Sequence, residues 1–251
     1  MMQGLYFIGF LLDAGFFFIF HFWRTYFLVS GIISLVITIP LSALLIEPPV
    51  YRTAGRRLII SGTLAYYTVA LTLIALNAFM LSLPLLSFVP IMFQERSNPY
   101  YYVFLFAMLG LLGFTLAGYL FDRLGKWQVT LYFSSLELIS GILLFAVAGN
   151  LYILAVLVPA YISAGFFGFI GVWASHTYPE EIRASATNIV FLVGRVLGGF
   201  SPFIASIISY SLKDGISLVM IIATNLSIAG SMIYLFVSRS AANQGNGAAG
   251  K

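Results

Sequence analysis

The sequence predicts an all-α integral membrane protein, and three observations support this fold class. Of the 251 residues, 61% are hydrophobic and 8% are charged, which is more apolar surface than a soluble domain of this length can bury. Apolar stretches recur along the chain, each near the roughly 20 residues of helix that cross about 30 Å of hydrocarbon. These stretches are unbroken rather than alternating, which excludes a transmembrane β-barrel.

About eight membrane-spanning segments result when the chain is divided at charged, Pro-containing and Asn-containing breaks. Their approximate bounds are 2–20, 25–46, 58–90, 100–121, 127–148, 151–174, 186–210 and 216–238. The first lacks a basic start and a small-residue cleavage site, so we interpret it as a span and not as a signal peptide. The third counts once, because two crossings with a turn need roughly 40 residues. We expect Pro84 and Pro90 to make the far end of this third segment irregular, so that it could form a mobile gate.

The distribution of basic residues supports this count, because cytoplasmic loops are enriched in Lys and Arg. With eight spans, one side of the membrane collects Arg52, Arg56, Arg57, Arg123, Lys126, Arg183, Arg239 and Lys251, and the other collects Arg24, Arg96 and Lys213. The sequence therefore predicts a multi-pass protein of the cell membrane with both termini in the cytoplasm. This orientation explains the net charge of +4, and no nucleic-acid partner is expected.

The ends of the segments carry further signals. Trp23, Trp127 and Trp173 lie at segment ends, where we expect them to anchor in the headgroup region. The tail 239–251 is rich in Ala, Gly and Asn, and we predict that it is disordered. The sequence has no cysteine, so disulfides are excluded.

The string GYLFDRLGK follows the fourth segment, from Gly118 to Lys126. Gly118 permits close approach of another helix, Gly125 permits a tight turn, and Asp122 could cap a neighbouring helix N-terminus. A short basic loop that only sets orientation has the same composition, so both interpretations remain open.

This string matches the loop signature of the major facilitator superfamily, G-x-L-x-D-R-x-G-[RK]. The stretch Tyr178–Pro202 resembles the P-x-E-x-R sequence that leads into the eleventh helix of that superfamily. Its G-R-x-x-G-G run is similar to the branch of sugar, aromatic-acid and organic-ion transporters. Phe22–Gly31 is similar to the start of the sixth helix in the same branch. The three occur in the family's order, so the eight spans align with family helices five to twelve.

The resemblance implies a complete C-terminal six-helix bundle over 58–238 and the last two helices of the N-terminal bundle over 1–46. A short cytoplasmic loop, 47–57, joins them. Helices one to four have no counterpart here, so either a separate polypeptide supplies them or the chain is a truncated gene product. The sequence also departs from the branch at His176, where Glu is usual, and at Val50, where Arg is usual.

The resemblance implies secondary active transport of a small polar solute, a sugar or an organic acid or ion, by alternating access. The transporter would work in the lipid bilayer as an ion-coupled symporter, with a proton or another cation as the coupling ion and without a cofactor or a metal. A conformational latch is expected at the cytoplasmic surface. Its candidate residues are Gly118, Asp122, Arg123, Gly125, Lys126, Glu180, Glu181 and Arg183. His176 either tunes this latch or is simply exposed.

Three charged residues, Asp13, Glu137 and Arg195, fall inside spans, where each costs about 2.5 to 3.5 kcal/mol on insertion scales. Each lies roughly 15 Å from the cytoplasmic end of its helix. The resemblance places Asp13 and Arg195 beside the transport cavity and Glu137 on the peripheral ninth helix, where a structural contact is favoured. On the cavity-lining seventh helix, Tyr66, Tyr67 and Asn77 complete the candidate transport path.

Two other classes of function remain open: an inert, truncated transporter and a transporter-like protein that binds or senses a solute. A membrane enzyme is least favoured, because the sequence has no metal-ligand cluster or nucleophile-base set. Its two histidines, His21 and His176, are predicted on opposite faces of the membrane.

Overall fold

The computed structural model describes residues 23–44, 62–95, 99–147 and 150–249, together with the single positions 9, 12 and 15. All elements in these ranges are helices, and seven helical stretches are long and apolar enough to cross a membrane. The predicted all-α membrane fold is confirmed. Of the predicted first span, only Gly9, Leu12 and Gly15 are described, and each is helical.

The described ranges contain nine helices, which we number in chain order. They are α1 (Trp23–Leu44), α2 (Thr63–Met92), α3 (Pro99–Leu124), α4 (Lys126–Ala146), α5 (Asn150–Ser163), α6 (Phe166–Thr177), α7 (Arg183–Gly198), α8 (Ser201–Ile208) and α9 (Leu212–Ala249). The pairs α5/α6 and α7/α8 each cross as one interrupted span, Tyr152–Thr177 and Arg183–Ile208.

Helix α2 is the centre of the bundle. It packs against α3, α6, α7, α8 and α9, and its residues Leu71, Ile74 and Leu81 are fully buried. Helix α9 packs in turn against α4 and α8. Helix α1 takes no part in this core, since none of its apolar window Phe27–Leu44 is buried.

Helix α2 runs without interruption past Pro84 and Pro90, so the predicted break near its far end is corrected. Pro84 is buried, and Tyr161 of α5 donates a hydrogen bond to the Leu85 carbonyl oxygen at 2.8 Å. Proline is tolerated in membrane helices because neighbouring helices can bond the backbone groups that it leaves free, and here Tyr161 bonds a carbonyl oxygen next to Pro84. The 30 residues of α2 therefore form one span, as the count of eight requires.

The segments 151–174 and 186–210, each predicted as one span, are interrupted. The break between α5 and α6 lies at Ala164 and Gly165, where α3 crosses. A Cβ atom on Gly165 would lie 2.5 Å from both the Gly113 carbonyl oxygen and the Phe133 ring. The interruption lies where two backbones meet closely, and periodicity alone cannot reveal this.

Helix α9 extends to Ala249, beyond the predicted span end at 238. The segment 239–249, predicted as disordered, continues this helix instead. Nucleation is the unfavourable step in helix formation, and a segment that continues an existing helix does not repeat it.

Small residues set the closest helix contacts, as is common in membrane bundles. A Cβ atom on Gly194 of α7 would lie 2.9 Å from the Ala75 Cβ of α2, and one on Gly198 would lie 2.5 Å from the Phe79 Cβ. The G-x-x-x-G pair in the sequence run GRVLGG is therefore the contact surface of α7 with α2.

Gly168→Ala should lower stability by about 1 to 3 kcal/mol, because its Cβ would lie 2.5 Å from the Phe114 carbonyl oxygen of α3. Gly118→Ala is the matched control on the other side of the same helix crossing. Its Cβ would lie 3.9 Å from the Gly168 carbonyl oxygen, so stability should stay constant or rise by up to about 1 kcal/mol. Thermal unfolding in detergent micelles measures both variants. Equal losses in the two would contradict this packing.

Candidate functional site

The loop signature forms a tight turn between α3 and α4. Leu124 ends α3, Lys126 begins α4, and Gly125 between them has φ 86°, a left-handed conformation that favours glycine. Gly118 lies at the crossing of α3 with α6, but the position that excludes a side chain there is Gly168. Gly125 therefore forms the predicted turn. The close approach of the two helices requires glycine mainly at Gly168 of α6 and not at Gly118.

Lys126 connects three helices. Its ammonium group donates a hydrogen bond to the Tyr234 hydroxyl of α9 at 3.3 Å and lies 4.6 Å from the centre of that ring. The Trp173 ring of α6 is 5.9 Å away. Trp173 is 2% exposed, so it is a core residue and not the headgroup anchor predicted from its place near a segment end. The Tyr234 ring of α9 packs edge-on against Trp173 at 4.9 Å, and the Phe169 ring of α6 lies 6.5 Å from it.

Further side chains complete what we call the Lys126 cluster: Lys126, Tyr67, Trp173, Thr177 and Tyr234. The Tyr67 and Tyr234 rings are 4.6 Å apart, and the hydroxyl groups of Thr177 and Tyr234 are 2.9 Å apart. The cluster therefore joins α2, α4, α6 and α9 at one end of the bundle.

Tyr178 adjoins this cluster and donates a hydrogen bond to Thr68 Oγ1 at 2.9 Å. Burial raises the pKa of the Tyr178 phenol, and nearby Tyr234 adds to the rise, while the Thr68 hydrogen bond opposes it. The phenol therefore remains a hydrogen-bond donor at neutral pH.

The predicted latch residues do not form one network. Asp122 is exposed, and Arg123 lies over the Tyr119 ring of its own helix at 4.6 Å. Arg183 approaches Glu180 at 4.0 Å, where their side chains are 43% and 87% exposed, and Glu181 is exposed as well. Within the described ranges no ion pair joins these two groups, because Lys126 is directed into the aromatic cluster.

The predicted cap by Asp122 is also absent from the described helix starts. Gly125 is the N-cap residue of α4 and Ile182 that of α7, and neither start has a side-chain capping bond. The carboxylate of Asp122 remains exposed beside the turn.

Arg195 lies on an exposed face of α7. Successive residues are about 100° apart, and the buried positions Ala186, Val190, Gly194 and Gly198 form the side that contacts α2. The exposed positions Ser185, Asn188, Leu192, Arg195 and Gly199 form a stripe on the opposite side, which we call the Arg195 stripe. The described bundle α2–α9 leaves this stripe open.

Glu137 and Asn77 meet in the interior of the bundle. Both are 0% exposed, and the Glu137 carboxyl of α4 faces Asn77 of α2 and Thr224 of α9. The side chains approach closely, but both carboxyl oxygens of Glu137 and both amide atoms of Asn77 lack an aligned hydrogen bond. Asn77, which was predicted in the transport path, is thus the partner of the residue predicted on the periphery.

The other predicted path residues are separated from this pair. Tyr67 belongs to the Lys126 cluster, whereas Tyr66 is 62% exposed and lines a groove of about 750 Å³ between α2 and α9. The groove is lined by Thr63, Tyr66, Val69, Met232, Ile233, Phe236, Val237 and Ser240. Asp13 and His21 lie outside the described residues, and His176 is exposed.

The sequence reasoning missed the polar side of α9. Ser217, Thr224, Ser227 and Ser231 are buried, and the Ser227 hydroxyl lies 2.7 Å from that of Ser134 on α4. Their spacing of seven, three and four residues is typical of one helix face and could have revealed them. In the part of the chain that the structure describes, no group of three His, Asp or Glu side chains could hold a metal ion.

Comparison with known proteins places this geometry in context. No family model matches the sequence. A "Putative metabolite transport protein" of Haemophilus influenzae is 31% identical over 113 residues, which are 44% of this chain and 28% of that protein. The fold is similar to the crystal structure of a bacterial homologue of the human lysosomal transporter Spinster, in an inward-facing and occupied conformation. That similarity has a TM-score of 0.61 at 16% identity.

The structural similarity covers 95% of this chain and 64% of the solved chain. The chain therefore spans less than two thirds of the length of either relative. The structural similarity shows an all-α membrane fold like that of the solved transporter, and the seven apolar helical stretches of the described residues fit a part of that fold.

Lys126→Met should destabilise the bundle by about 1 kcal/mol, because it removes a cation–π contact and a hydrogen bond between helices. Arg123→Met is the matched control, since it removes one positive charge from the same turn but breaks a contact within α3 only. Its effect should be about half as large. Thermal unfolding of both variants in the same detergent measures the difference. A greater loss in Arg123→Met would contradict the assigned role of Lys126.

Proposed function

We propose that this chain forms the larger part of a secondary transporter that moves a small polar solute, a sugar or an organic acid or ion, by alternating access. Two bundles would rock about a central site near the membrane midplane and would couple solute movement to an ion. The fold of the described residues and the loop signature at α3 and α4 support this proposal. The Arg195 stripe is the single observation that carries it.

Arg195 lies near the middle of its span. It is twelve residues beyond Arg183, the start of α7, which corresponds to about 18 Å along the helix. An arginine at that depth facing lipid would cost about 2.5 to 3.5 kcal/mol or more. The cost is avoided if the exposed face borders a water-filled cavity or a second bundle, and Asn188 on the same stripe fits that environment.

The second bundle would complete the cavity opposite the Arg195 stripe. In our proposal, Asp13 and α1 belong to this bundle, and its remaining four helices come from a further segment or a separate polypeptide. Arg195 would bind the anionic or hydroxyl groups of the solute, or would pair with Asp13 when the solute is absent. Tyr66 would contact the solute or the second bundle from α2.

We assign the exposed residues of the predicted latch to contacts between the two bundles and Lys126 to contacts within one bundle. We place this end of the bundle in the cytoplasm, where Asp122, Glu180 and Glu181 are free to pair with basic side chains of the other bundle. Such exposed pairs contribute about 0 to 1 kcal/mol each, so several are needed to bias one conformation. Lys126 would hold the C-terminal bundle together during the movement.

Arg195→Gln should reduce solute exchange at least about tenfold, which corresponds to 1.4 kcal/mol, without lowering the melting temperature. The side chain is exposed, so its loss leaves the packing of α7 intact. Arg239→Gln is the control and should retain exchange, because Arg239 is exposed and lies near the end of the apolar span Leu212–Ser240 of α9. Counterflow in proteoliposomes measures exchange with D-glucose, benzoate and choline as trial solutes.

The assay is run with and without a co-expressed four-helix partner from the N-terminal half of a related transporter. Saturable solute binding without counterflow in both arrangements would favour a binding or sensing protein. Neither binding nor counterflow in the presence of the partner would favour an inert fragment. Equal exchange by Arg195→Gln and the unaltered chain would contradict the role of the Arg195 stripe.

A further inference from the structure

Glu137 and Asn77 form a buried contact in which three oxygen atoms need hydrogen-bond donors. Both side chains are fully buried, and all four of their polar atoms lack an aligned partner. Thr224 is the third polar neighbour, and its hydroxyl donates to the Met220 carbonyl oxygen at 3.0 Å. Since that hydroxyl has a single proton, Thr224 offers Glu137 an acceptor and no donor.

The protonated form of Glu137 matches these neighbours. A neutral carboxyl group has one O–H donor and one carbonyl acceptor, and the Asn77 amide has an N–H₂ donor and a carbonyl acceptor. The two groups can therefore form two complementary hydrogen bonds and satisfy all four atoms. An ionised carboxylate only accepts, so it would face the Asn77 carbonyl oxygen or Thr224 Oγ1 without a proton between them.

The surroundings supply no compensating charge among the described residues. Glu137 lies eleven residues from Lys126 and ten from Val147, whose carbonyl oxygen accepts a hydrogen bond from Lys213. Both lysines are therefore roughly 15 Å away along α4. The other titratable or charged side chains on the described helices around α4 lie elsewhere. Tyr161 donates to the Leu85 carbonyl oxygen, Tyr67 and Tyr234 belong to the Lys126 cluster, and Tyr102 stacks on Phe93. Asp122, Arg123, His176 and Asp214 lie at helix ends, Arg239 lies near the end of the apolar span Leu212–Ser240, and Tyr101, Tyr119, Tyr132 and Tyr152 are more than half exposed.

We propose that Glu137, Asn77 and Thr224 form a proton-binding site inside the C-terminal bundle, and that this proton is the ion coupled to solute movement. This inference deepens the proposed function and rests on it. The site is occluded, so the proton can leave only when α2 separates from α4 and water enters. The carboxyl O–H bond then breaks, the proton passes to water, and a carboxylate remains until it is protonated again.

Helix α2 links the Glu137 site to the Arg195 stripe. One side of α2 packs against α9, which also packs against α4. Another side of α2 contacts α7 at Gly194 and Gly198, the glycines on either side of Arg195 in the sequence. A shift of α7 on solute binding would therefore be transmitted to α2 and would open or close the contact of Asn77 with Glu137. A sodium ion could take the same carboxyl, amide and hydroxyl oxygens, so the test below includes a salt-dependence arm.

Infrared difference spectroscopy of the full chain in liposomes tests the proton site directly and needs no transport. The unaltered chain at pH near 7 should show the carbonyl band of a protonated carboxylic acid, shifted in D₂O and lost in Glu137→Gln. Gln offers Asn77 the same pattern of donor and acceptor, so this variant should fold. Glu180→Gln, an exposed acid, is the control and should keep the band. Asn77→Ala should move the band to higher frequency, because a hydrogen bond is lost.

Absence of the acid band, or its persistence in Glu137→Gln, would overturn the site. A rise in melting temperature with NaCl but not with choline chloride, lost in Glu137→Gln, would assign the site to sodium instead. Both readouts stand even if no solute is transported, so they separate failure of this inference from failure of the proposed function.

Coupling is tested by accumulation of the trial solute that counterflow identifies. One unit of pH gradient can drive about tenfold accumulation if one proton moves with each solute molecule. Glu137→Gln should retain counterflow but lose this accumulation. If Glu137→Gln accumulates solute as the unaltered chain does, or if the unaltered chain with active counterflow ignores the pH gradient, the proton site is not the coupling site.

Discussion

A polar group inside hydrocarbon must find its partner within the protein, because no water is available there. This constraint accounts for the arrangement of the described bundle. Tyr161 bonds the carbonyl oxygen of Leu85 between two prolines, and Lys213 donates to the carbonyl oxygen of Val147 at the end of α4. Ser134 and Ser227 pair across α4 and α9. These contacts join α5 to α2 and α4 to α9, and small residues bring other parts of the same bundle into close contact.

The same constraint separates the two charged residues of the described spans. Arg195 is exposed and has no ion-pair partner among the described residues of the bundle. A charge at this depth in the membrane is costly unless its helix face borders water or further protein. Glu137 is fully buried beside Asn77 and Thr224, away from the charged side chains of the described helices. In our proposals Arg195 serves the solute and Glu137 binds a proton, and α2 is in contact with both regions.

The loop signature has two separate uses in this structure. Gly125 makes the turn, and Lys126 enters a cluster of aromatic rings that connects four helices. Asp122 and Arg123 remain at the surface of the same turn. A conformational latch assembled from all of them would have to compete with the Lys126 cluster for the same ammonium group. Division of the signature between Lys126, which contacts other helices of the bundle, and the surface residues Asp122 and Arg123 removes that competition.

The sequence by itself determined that this is a membrane protein, that it is helical and where most of its spans lie. The reason is that the length of an apolar segment depends only on consecutive residues. The sequence also determined the turn at Gly125, since few other residues adopt that backbone conformation. Tertiary structure alone decided where α5 and α7 end, which face of α7 carries Arg195 outward, and that Asn77 meets Glu137. These features depend on contacts between residues distant in the chain, and Asn77 and Glu137, which are 60 positions apart, leave no local trace of their meeting.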